Sequence, residues 1–166
     1  MNTTQRIYDF LTSVSKITIG LFELNFSNPS RLEQDQIGYS KNALTGESLI
    51  TGKEGDWKEE WLVIGWDGMV GDPIFLDLQS QELTVFSAPH GVGYWEPGKI
   101  ADSLESFSQI ISKLRELSTD REDFVRLENK PISFQEGKGF LDFIRQNNPE
   151  SDPEFWEAII QVCSAD

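Results

Sequence analysis

A single cysteine, Cys163, and a single histidine, His90, set the first limits on this 166-residue chain. One thiol leaves no disulfide framework and no multi-thiol metal cluster, and one imidazole excludes a multi-histidine metal site. A Cys–His nucleophile would have to join these two residues. Cys163 falls in the apolar stripe of a C-terminal helical segment, and the chain offers few cations to lower a thiol pKa, so a buried and inert thiol is the expectation. No apolar run approaches the ~20 residues of a membrane-spanning helix. The longest, WLVIGW at 61–66, suits a core strand. The opening MNTTQRIYDFLTS lacks the basic and apolar regions of a secretory signal, so a cytoplasmic protein is expected. Gly91-Val-Gly93 begins like a dinucleotide fingerprint, but Glu96 occupies the third glycine position and the next helix starts too far on for a pyrophosphate site.

Basic residues are also scarce. Lys plus Arg is 14 against 28 Asp plus Glu, a formal charge of −14. Such a surface repels phosphate backbones and anionic lipid, which argues against direct nucleic-acid or membrane binding. The excess is not a tail: residues 1–100 hold 14 acids and 7 bases, and residues 101–166 hold the same numbers. It reads either as a solubilising surface or as a face complementary to a basic partner.

What the chain does have is apolar bulk, with 38% hydrophobic residues, five Trp and eleven Phe, enough for one domain over 1–166 with a sizeable core. Ile7, Phe10, Leu11 and Val14 recur at helical spacing and predict an opening helix over 3–14. In 16–26 the apolar positions alternate and then change phase, which predicts strand with a bulge near Gly20 or two short strands, with a continued helix as the alternative. The polar stretch 27–58 is expected to hold one short strand at Leu49-Ile50. Strands follow at Trp61–Gly65, at Pro73 onward with Ile74, Leu76 and Leu78 on one face, and at Leu83–Val85 after a four-residue loop. The segment 88–98 reads as loop.

Helices dominate the rest. Asp102 and Glu105 fit an acidic capping box before Leu104, Phe107, Ile110, Ile111, Leu114 and Leu117. Phe140, Leu141 and Ile144 mark a second helix. A third is predicted to open at Asp152-Pro153, with Phe155, Ile159 and Val162 on one stripe. Strands first and helices after predict an α+β fold, a central antiparallel sheet with helices packed on it.

Candidate chemistry is sparse. Asp67, Asp72 and Asp77 are the best carboxylate cluster, able in principle to face a cation or a sugar. Asp beside Gly is an ordinary turn former, the better reading here, and the spacing lacks the rhythm of a calcium loop. His90, in Pro-His-Gly, reads as a turn histidine, with a general base or interface contact as the alternative. Trp61 is expected in the core. Trp57, Trp66 and Trp95 lie in or beside Gly-rich, acid-rich loops, where they serve either as anchors for a partner or as lids over the core.

The central block carries a resemblance. Ile64-Gly65, Asp67-Gly68, Gly71-Asp72, Phe75-Leu76-Asp77, His90-Gly91, and Ser103 with Phe107 follow the order and spacing of the SUKH superfamily, the Smi–Knr cell-wall-regulator-like proteins. The match covers about residues 47–117; the Leu-Pro-x-x-Tyr stretch and Asn-Gly turn that usually open the family are not found in residues 1–46. The resemblance implies an α+β fold and a non-enzymatic role; no cofactor and no metal are expected. Many bacterial members are immunity proteins that neutralise a cognate toxin, often a nuclease; fungal members act in cell-wall regulation and signalling. The expectation is therefore a toxin-binding immunity protein facing a basic toxin domain. The partner-binding residues expected are Asp56, Trp57, Glu59, Glu60, Trp66, Asp67, Asp72, His90, Trp95 and Glu96. A non-enzymatic adaptor of the same fold is the alternative, and an enzyme using Asp67, Asp72 and His90 is a weaker one.

Overall fold

An antiparallel sheet in which four of six strands have a partner on each side organises the molecule, seen in a computed structural model that describes residues 2–164. Strands β1 (Ile17–Ile19), β2 (Phe22–Phe26), β3 (Trp61–Asp67), β4 (Pro73–Asp77), β5 (Val85–Ser87) and β6 (Gly98–Ala101) form one sheet in chain order, each paired with the next. Five helices complete an α+β fold: α1 (Thr3–Ser13), α2 (Leu104–Ser118), α3 (Phe124–Asn129), α4 (Phe134–Asn147) and α5 (Glu154–Cys163).

Alternation along the strands gives the sheet two buried faces. Ile17, Ile19, Leu24, Ile74, Leu76 and Val85 join the larger core, into which α1, α2, α4 and α5 turn their apolar stripes. Val63 and Phe75 turn the opposite way, into a second cluster with Trp57, Trp61 and Ala88. The continuous apolar run of β3 is thus explained by burial on both sides.

The second face is covered by the polar stretch 27–60, which Gln36 ties to the sheet. Strand β2 pairs with β3 only from Gly65 to Asp67, which leaves Val63 without a strand neighbour on that side. The buried Gln36 side chain takes the vacant place. Its Nε2 donates to the Val63 carbonyl at 3.0 Å and its Oε1 accepts from the Val63 N–H at 2.9 Å. A side-chain amide has the donor and acceptor of a peptide group, so it continues the ladder for one residue.

Several sequence expectations hold and several shift. The 16–26 segment is two short strands around Gly20, whose φ is +60°. Leu49-Ile50 forms no strand; the Leu49 N–H donates to the Ser40 carbonyl at 2.8 Å beside an isolated bridge between Lys41 and Ser48. Leu78 lies beyond β4 and is exposed, because Asp77 already starts the turn. Strand β6 emerges from what reads as loop and helix approach. The α2 cap is Ser103, paired with Ser106 in a reciprocal box, while Asp102 accepts from the Glu150 N–H instead. Helix α5 starts one residue late, with the Asp152 carboxylate accepting the Glu154 N–H. Its buried stripe is Trp156, Ile159, Ile160 and Cys163, and Val162 is exposed. Trp156 sets this rotation: its ring is fully buried and its indole N–H donates to the Ile100 carbonyl at 2.8 Å.

Candidate functional site

Pocket geometry and aromatic packing converge on the segment 88–97, which links β5 to β6. Two contacts hold it. The Asp72 carboxylate accepts the His90 backbone N–H at 2.6 Å, and the Trp95 N–H donates to the Gly55 carbonyl at 2.7 Å. The first ties the segment to the β3–β4 turn and the second to the polar covering stretch.

Under it lies a continuous ring cluster. Trp57 meets Trp95 and Trp61 edge-on at 5.1 and 5.3 Å between centroids, and Phe75 at a tilt at 4.9 Å. Tyr39 lies against Trp57, His90 and Trp95 at 5.7, 6.2 and 6.1 Å, and its hydroxyl donates to the Gly71 carbonyl at 2.9 Å. Burial, with the negative charges of Asp72 and Asp35 behind it, pushes the Tyr39 hydroxyl above its ordinary pKa, so it stays protonated as a donor.

The segment forms a ridge between two cavities. On one side is a cleft of about 330 Å³ whose lining includes Asp56, Trp57, His90, Tyr94 and Trp95. On the other is a cavity of about 440 Å³ edged by Asp72, Glu96, Asp152 and Glu154 over walls that include Pro89, Pro97 and Phe155. Neither lining contains a lysine or arginine. Negative charge between low-dielectric walls attracts cations more strongly than the same charge on an open surface.

The structure thus brings together Asp56, Trp57, His90 and Trp95 in the cleft, and Asp72 and Glu96 in the cavity. Trp57 needs correction: it is 1% exposed and forms the cleft floor, so it is a core ring rather than a projecting anchor. Its indole N–H is spent on the Trp61 carbonyl. Glu59, Glu60, Trp66 and Asp67 line neither cavity. Trp66 sits in β3 opposite Asn25 and Pro73, and Asp67 caps the β3–β4 turn by accepting the Met69 N–H. Asp77 does the same for Gln79, so Asp67, Asp72 and Asp77 each hold a loop. Sequence reasoning missed Tyr39, a lone aromatic in a polar stretch, and the contribution of Asp152 and Glu154, which only the β6–α5 packing places beside the segment.

Among the described residues no group of three or more His, Cys, Asp or Glu is placed to hold a metal ion. Cys163 lies in the helical core with its thiol directed to the Ile19 carbonyl, and burial pushes that thiol up to about 11. His90 stands in the aromatic layer on the other side of the sheet, so the two form no pair. No described helix is long and apolar enough to cross a membrane. No family model, curated protein or solved structure matches the chain.

Proposed function

We propose that this protein is an immunity protein of SUKH type, which binds a basic toxin domain and blocks it without catalysing a reaction. The observation that carries this reading is the ridge at 88–97, flanked by one carboxylate-edged cavity and one aromatic cleft, both free of lysine and arginine. A nucleic-acid-cleaving toxin needs a positive surface for its substrate, and a protein of charge −14 is suited to occupy it. The resemblance over about 47–117 supports the same reading. Partly exposed Trp95 beside carboxylates matches the anatomy of a protein interface, an aromatic centre within a charged rim, and such a contact buries about 1,600 Å² in total.

The test is co-expression with any basic domain encoded beside the gene. Protection of the host cell and a stable complex of the purified proteins are the expected results. Binding to a non-toxic partner instead would favour an adaptor role. Turnover of a small substrate that is lost in both Asp72→Ala and His90→Ala, with folding retained, would overturn the non-enzymatic reading.

A further inference from the structure

We propose that the aromatic cleft beside the 88–97 ridge receives one arginine side chain of the protein partner. This rests on the partner-binding reading and adds to it which residue type enters and where. Four features support it. The walls are rings: Trp95 and His90 lie 5.9 Å apart with planes only 34° from parallel, and Tyr94 is 55% exposed beside them. A guanidinium stacks on such faces, whereas a hydrated ammonium does so less well. The Asp56 carboxylate also lines the cleft. Its Oδ2 accepts the Thr51 hydroxyl, and among the described residues its Oδ1 accepts no hydrogen bond, leaving an acceptor for a planar donor fork. Gly91 and Gly93 line the cleft with open space where a Cβ would be, so neither position narrows it. Finally, the same ring cluster already holds a cation of this chain: Lys58 Nζ lies 5.1 Å from the Trp61 ring centroid.

The size agrees. At about 330 Å³ the cleft is near the lower bound of small-molecule sites, ~300–1,000 Å³, and suits a single extended side chain.

The experiment titrates the full chain with acetyl-Gly-Arg-Gly-amide and follows tryptophan indole N–H signals by ¹H–¹⁵N NMR. Saturable shifts at Trp57 and Trp95 are expected. The citrulline peptide has the same shape without the charge and should give none, and the lysine peptide should bind about fivefold more weakly or worse. Trp95→Ala and Asp56→Asn should each weaken arginine binding by about fivefold or more. Thr51→Val removes the Thr51–Asp56 hydrogen bond but keeps the carboxylate, and because Thr51 itself lines the cleft, its loss of binding should be clearly smaller than that of Asp56→Asn. Unsaturable shifts, equal binding of citrulline or lysine, or an equal loss in Thr51→Val would overturn the proposal. A toxin bound undiminished by Trp95→Ala and Asp56→Asn would overturn it while leaving the immunity reading intact. Saturable arginine binding without any toxin complex would uphold the slot and count against immunity.

Discussion

Arg121 is buried to 3% exposure, and its Nη2 donates to both carboxylate oxygens of Glu136, at 2.8 and 2.9 Å. The same guanidinium donates to the carbonyls of Leu117 and Lys130, so it joins the end of α2 to the end of α3 and the start of α4. Glu136 also closes the α4 capping box with Ser133. The Ser133 backbone N–H, then the Arg121 guanidinium and the Ser133 hydroxyl, lower the Glu136 carboxyl from its ordinary 4.5 to about 2.

A pH dependence follows. Between pH 4.5 and 2 the unfolded chain binds a proton at this site and the folded chain does not, so stability rises with pH there. The contribution is complete above about pH 4.5 and is lost as pH falls through 2. The Glu136 side chain is 39% exposed, and solvent screening reduces its effect to about 1 kcal/mol. Glu136→Gln keeps a capping-box side chain and removes the charge. Urea denaturation should show it less stable by about 1 kcal/mol at pH 6, with the gap closing toward pH 2. A gap that stays constant with pH would assign the loss to capping geometry alone.

Phe107 tests the main core. It is fully buried in α2, with ring centroids of Phe10, Trp156 and Phe26 at 5.7, 6.2 and 6.4 Å. It therefore joins α1, α2, α5 and β2 at one point. Phe107→Ala should cost about 3–5 kcal/mol in chemical denaturation, since rings on three other elements cannot all collapse into the void. A loss below about 1 kcal/mol would mean that this junction relaxes freely.

Gly65 tests the sheet. A Cβ added there would lie 2.4 Å from the Asn25 carbonyl oxygen and 3.3 Å from the Phe26 ring. The obstructing atom is backbone of the paired strand β2, so a side-chain rotation cannot relieve it. The adjoining register shift between Val63 and Gly65 concentrates strand distortion at the same point. Gly65→Ala should therefore cost roughly 2–4 kcal/mol, well above the few tenths of a surface change. Hydrogen exchange should show the loss first at the β2–β3 amides, and uniform loss across the sheet would count against this cause.

These positions also indicate what was legible in the chain. Helices α1, α2 and α4 announce themselves by apolar periodicity, because each covers one face and leaves the other to water. Strand β3 announces itself by its continuous apolar run, and β4 by its opening Pro73 and the alternating Ile74 and Leu76. Strand β6 does not, because Gly-Lys-Ile-Ala is short and its pairing partner β5 supplies the order. Helix α3 shows no buried residue, so nothing periodic marks it. Gln36 is invisible for a different reason: a polar residue in a polar stretch gives no local sign that its amide will complete a ladder at Val63. At the candidate site, Pro-His-Gly and Trp95-Glu96 stand out by composition, but only tertiary packing separates Trp57 on the floor from Trp95 at the cleft wall.

The binding reading makes a kinetic prediction that separates rim from centre. Glu59 is exposed and Glu60 partly so, and neither lines a cavity, so their charges act at a distance. Trp95 is half-buried between the aromatic floor and the cleft, where a partner would desolvate it. Long-range attraction speeds encounter, while desolvated contacts set the residence time. Replacing Glu59 and Glu60 with Gln should therefore slow association with a basic toxin domain several-fold at low salt and leave dissociation nearly unchanged. Raising salt from 0.1 to 1 M shortens the Debye length from ~10 to ~3 Å, and should slow the parent toward the variant. Trp95→Ala should act on the other rate: a central aromatic worth about 2 kcal/mol or more accelerates dissociation by roughly thirtyfold. Stopped-flow measurement reads both. Association indifferent to salt would remove the steering role of the carboxylates, and a Trp95→Ala effect confined to association would place that ring outside the interface centre.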